Sequence, residues 1–116
     1  MKKLITLAAA LGFLATWGLA AEENGTITVK GEVLDLACYL DHGAHGEKHA
    51  ACAEKCIRSG LPVGLKTEDG KVYVLIGEHK PLNDQLADYA AKTVTIRGKA
   101  VTRDGINLLE NAEIVK

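Results

Sequence analysis

VTIRGKAVTRDGINLLENAEIVK, residues Val94–Lys116, decides the fold. Apolar and β-branched residues alternate with polar ones along it, the period of a strand with one face buried. Arg103-Asp104-Gly105 interrupts the alternation with turn chemistry. The stretch therefore reads as a strand over Thr93–Thr102, a turn, and a last strand over Ile106–Val115. Upstream, PLNDQLADYAAK (Pro81–Lys92) carries Leu82, Leu86, Tyr89 and Ala90 on one side of a helix. Pro62–Lys66 and Lys71–Ile76 read as strands joined by the Glu68-Asp69-Gly70 turn. His45–Ser59 is helical in pattern, closed by Gly60 as a C-cap with Pro62 just beyond. TITVKGEVLDL (Thr26–Leu36) alternates as a strand, and Gly31 inside it predicts a bulge or sharp bend.

The expected order is strand, helix, strand, strand, helix, strand, strand. Five strands with a helix between the third and fourth give a mainly β (α+β) domain, a five-stranded OB-like barrel. In that barrel a Cys/His-bearing helix follows strand 1. The second half of the chain resembles the small exported OB-fold domains of bacteria. GEVLDLACYLDHGAHGEKHAACAEKCIRSGLPVGL (Gly31–Leu65) resembles a group of exported bacterial proteins. That resemblance implies the barrel but no particular reaction, and the ligand-binding surface of the OB-fold does not carry over with it. Oligonucleotide-binding members use exposed aromatic and basic residues, which are scarce here.

The N-terminus reads as an export signal. Met1-Lys2-Lys3 is a basic start, Leu4–Leu19 an apolar run, and Ala20-Ala21-Glu22-Glu23 a small-then-polar end. The run has about 16 residues, short of the roughly 20 that span a bilayer. Cleavage is expected after Ala20, with Ala21 the next choice. Residues 1–20 are then the signal peptide and residues 21–116 a single domain in the periplasm or secreted, with no membrane span after cleavage. Removing Lys2 and Lys3 from 14 basic residues leaves 12 against 15 acidic ones, a net charge of about −3. That is no footprint for nucleic acid, which would need a clustered basic face. Phe13 and Trp17 leave with the signal, so Val, Ile, Leu and Ala must build the core. A core this small gains from a metal or a disulfide.

The chain has three cysteines, and an odd number in an oxidising compartment needs a reason: a free thiol, an intermolecular bridge or a metal. All three, with three of the four histidines, fall between Cys38 and Cys56. His49, Cys52 and Cys56 are spaced i, i+3, i+7, which places them on one stripe of a helix. Cys38, leaving the first strand, can reach the same place. Three thiolates and an imidazole make a tetrahedral site for a soft ion. The expected set is Cys38, His49, Cys52 and Cys56, with His45 or His42 as replacements for His49 or as supporting groups. Zinc and copper both suit it; an iron–sulfur cluster ranks behind them. No CxxCH occurs, which argues against covalent haem.

Two plainer readings compete: a disulfide from Cys38 to Cys52 or Cys56 with one thiol left over, and histidines that simply solvate a loop. Asp35 and Asp41 flank Cys38 and could accept from a ligating imidazole, although solvating the strand end and loop is their ordinary role. Tyr39 reads as a half-buried strand-end tyrosine and His79 as a loop histidine.

The function expected is an exported soft-metal-binding protein with a structural, storage or delivery role. Its partners would be the metal ion and a periplasmic or membrane protein. A CxxxC pair with histidine resembles the ligand set of exported copper-delivery proteins, in ligands only. Four protein ligands leave no open position, which argues against an enzyme. The alternatives are a thiol–disulfide protein using Cys52 and Cys56 with Cys38, or a structural module with a disulfide and one spare thiol.

Overall fold

The computed structural model describes residues 25–116; the expected signal peptide, residues 1–20, lies outside them. Five strands close into a barrel in the order β1-β2-β3-β5-β4: β1 (Thr26–Asp35), β2 (Val63–Thr67), β3 (Val72–Leu75), β4 (Thr93–Arg103) and β5 (Ile106–Val115). All neighbours are antiparallel except β3 and β5, which run parallel through Val74–Leu108 and Leu75–Leu109. Three helices complete the domain: α1 (Leu36–His42), α2 (Ala50–Arg58) and α3 (Asn83–Ala87). This is the OB-like barrel expected, with helices after β1 and between β3 and β4.

Closure depends on Gly31. The first part of β1 pairs with β4 (Thr26 to Glu32) and the second with β2 (Gly31 to Asp35), so the strand passes between two partners at Gly31. A Cβ there would sit 2.4 Å from the Lys66 carbonyl oxygen, so only glycine permits the approach. Asp104 and Gly105 both take positive φ (52° and 83°), the left-handed pair of a tight β4–β5 turn.

The core is aliphatic. Val33, Leu65, Ile96 and Leu109 are buried in it from the strands, α3 adds Leu86 and Ala87, and α2 adds Ala53 and Ile57. The helix expected over Pro81–Lys92 is shorter. After Ala87 the chain turns, Ala90 bridges to Val33, and Ala91 takes φ 63° to re-enter the sheet. Tertiary pairing has overridden a helical pattern there.

A second departure sets up the site. The chain does not leave β1 as an extended segment; it turns at once into α1. Asp35 is the N-cap, its Oδ1 accepting from the Ala37 amide at 3.0 Å. Gly43, at φ 72°, ends α1 and donates its amide to the Tyr39 carbonyl at 2.8 Å. Leu36 fixes the helix on the barrel: it packs so closely over Gly64 of β2 that a Cβ there would be 2.5 Å from its Cδ2. Cys38 is therefore a helical residue, and Tyr39 lies on α1 rather than at a strand end.

Candidate metal centre

Three segments converge at one side of the barrel mouth. The first is α1, which carries Cys38 and His42 four residues apart and so on one face. The second is a 3-10 turn, Glu47–His49, which ends on His49. The third is α2, with Cys52 and Cys56 again four apart. The intervening loop is tied down where the Gly46 amide donates to Glu32 Oε2 of β1 at 2.7 Å. At the far end of α2, the Asn83 side-chain amide donates to the carbonyls of Ile57 (2.8 Å) and Leu61 (2.7 Å). This ties the end of α2 and the segment after it to the start of α3.

The helix meets the barrel by a face other than the Cys/His stripe. Ala53 and Ile57 point into the core, while Cys52 is exposed and Cys56 half-buried. Ile57 is the largest apolar side chain on α2 and wins the buried position, so the thiols take the flank that faces α1.

Two groups of ligand atoms result, each with all its members within 4.8 Å of one another: Cys38 with His42 and His49, and Cys38 with Cys52 and Cys56. These Cys/His groups could hold a metal ion. A tetrahedral ion with sulfur at about 2.3 Å places its sulfurs about 3.8 Å apart, so each triad needs only small rotamer movements to close. Cys38 belongs to both. Among the described residues, no group unites the histidines with Cys52 and Cys56, so Cys38, His49, Cys52 and Cys56 are neighbours arranged as two triads. His42 enters a triad. His45 does not: its Nδ1 bonds to the Gly43 carbonyl at 2.9 Å, and its ring meets Tyr39 edge-on. Tyr39 also lies beneath the Lys66 ammonium, 5.3 Å from the ring centre. His79 is an exposed loop residue with positive φ.

The surroundings are built for ligands. Asp41 Oδ2 lies 3.2 Å from His42 Nδ1, which leaves Nε2 of that imidazole to an ion, the usual carboxylate–imidazole support. His49 Nε2 is buried without a hydrogen-bond partner. Buried polar atoms are nearly always satisfied, so this lone nitrogen points to a missing partner at the cluster. Asp35, a carboxylate only 2 % exposed, faces the Cys38 and Cys56 thiols.

The Asp35 carboxylate also acts on the thiols. Hydrogen bonding from the Cys38 thiol to Asp35, then burial, then the Asp35 charge and the neighbouring sulfurs push Cys38 up to about 12. Burial first, followed by Asp35 and Cys52, also raises the Cys56 thiol. Without a cation, these groups hold their protons. All three cysteines are free thiols. Asp35 thus does more than solvate a strand end. Its burial came from the helix turning at Asp35, and the one sequence signal for it was an N-cap residue eight positions before Gly43.

Comparison with family models, curated proteins and solved structures found no match. The functional reading therefore rests on the chemistry of this site.

Proposed function

We propose that the protein is an exported soft-metal-binding protein, holding Zn(II) or Cu(I) for storage or delivery. What carries the reading is one cluster of five Cys and His ligand atoms in two triads, with buried His49 Nε2 unpartnered in it. Thiolate and imidazole donors favour soft or borderline ions. Cys52 and His42 are exposed, so a ligand from a periplasmic or membrane protein can reach the ion and exchange for them. The export signal read at residues 1–20 puts this chemistry outside the cytoplasm, where three reduced thiols need a metal to protect them.

Thiol–disulfide exchange is the less favoured alternative. Redox cysteines are activated by a lowered pKa, whereas Cys38 and Cys56 are pushed the other way by burial and by Asp35.

The test is to purify the protein, expressed from its full sequence, without chelator. Bound zinc and copper are measured, and thiols are counted after denaturation in chelator. At least one metal equivalent with three reactive thiols is expected. No metal and a single reactive thiol would replace the metal centre with a disulfide.

A further inference from the structure

We propose that the site holds two soft ions at once, bridged by the Cys38 thiolate: one ion on Cys38, His42 and His49, the other on Cys38, Cys52 and Cys56. The inference rests on the metal-binding reading above and specifies how many ions that site holds.

Two observations carry it. The first is the way the ligands are shared. Two triads form, and Cys38 is the only member common to both. A single tetrahedral ion would require four donors all within about 4 Å of one another. Here, among the described residues, no group of ligand atoms within 4.8 Å of one another joins an imidazole to an α2 thiol. A thiolate has lone pairs for two ions, and two ions each at about 2.3 Å from one sulfur lie roughly 3–4 Å apart, the spacing of two-metal sites.

The second is an orphaned atom. His49 Nε2, in the imidazole triad, is buried without a hydrogen-bond partner, and an ion held by the sulfur triad alone would leave it so.

Three donors per ion suit the low coordination numbers of Cu(I). Zn(II) would complete its shell with water at the exposed His42 and Cys52 edges.

The test is an anaerobic titration of the reduced protein, expressed from its full sequence, with Zn(II) and separately with Cu(I), followed by native mass spectrometry. Two equivalents of at least one ion are expected. His42→Ala, a change at an exposed side chain, should remove one equivalent and keep the other. Cys52→Ser, also exposed, should weaken the sulfur-bound ion at least tenfold and leave the imidazole-bound one in place. Cys38→Ser should weaken both. Loading with 113Cd adds a signature of the bridge, namely two resonances split by coupling through the shared sulfur. A single equivalent for both ions, weakened alike by His42→Ala and Cys52→Ser, would overturn the shared site and leave a one-ion protein. Two equivalents without 113Cd coupling would overturn the bridge. No binding of either ion would remove the metal-binding reading itself.

Discussion

Replacing Asp35 with Asn separates the carboxylate's electrostatic role from its structural one. The amide oxygen can keep the cap on the Ala37 amide, while the charge facing Cys38 and Cys56 is lost. Its NH2 group would donate toward sulfur and so favour thiolate over thiol. In the metal-free protein Cys38 titrates at about 12 against an ordinary 9.0, with Asp35 the largest cause. Full release would raise its thiolate population at pH 8 by roughly a thousandfold. Reactivity rises less, because nucleophilicity falls with pKa along a Brønsted slope of about 0.4–0.5, which leaves about 30- to 60-fold. Burial and the neighbouring thiols persist, and if half the effect is Asp35's the gain is about 6- to 8-fold. The assay is alkylation by iodoacetamide at pH 8, with Cys38, Cys52 and Cys56 followed separately by peptide mass spectrometry. An Asp35→Asn rate at Cys38 within twofold of wild type, with the fold intact by circular dichroism, would refute the argument.

Further expectations follow from the fold. Cys38 binds its proton more tightly folded than unfolded, so the stability this contributes is complete below pH 9 and lost as pH rises toward 12. Thermal melts of the metal-free protein should show Tm falling over that interval, and less so in Asp35→Asn. Ile57→Ala should cost about 2–5 kcal/mol in urea unfolding, because Ile57 is 0 % exposed and anchors α2 to the barrel; it should also weaken metal binding. Gly31→Ala places a Cβ 2.4 Å from a backbone oxygen that cannot move without parting β1 from β2. Its cost should be at least about 3 kcal/mol, read as a lowered urea midpoint or failure to fold. Asn83→Ala removes one donor each from the Ile57 and Leu61 carbonyls, and should cost about 0.5–1.5 kcal/mol in the same assay.

The barrel was legible in the sequence because its signals are local. Alternation in Thr26–Asp35 and Thr93–Val115 reflects a period-2 backbone, and Asp104-Gly105 carries its turn in its own φ preferences. The bend at Gly31 was legible for the same reason, although the Lys66 carbonyl that demands it was not. Helix α1 was hidden. The residues after Val33 continue the apolar pattern of a strand, and Asp35 as an N-cap with Gly43 as a C-cap were the only marks of a helix.

For the metal centre, the sequence by itself determined the inventory: three cysteines and three histidines in one segment, with Cys52 and Cys56 a helical turn apart. Only the tertiary structure decided how they divide. Leu36 docks α1 over Gly64, Ala53 and Ile57 turn α2 by its apolar face, and Glu32 holds Gly46 between them. Those contacts bring Cys38 into one group with His42 and His49 and into another with Cys52 and Cys56. Ligand type is a property of a residue and can be read one position at a time. Which atoms lie within reach of one ion depends on how separate segments pack, and that is settled by burial rather than by the ligands themselves.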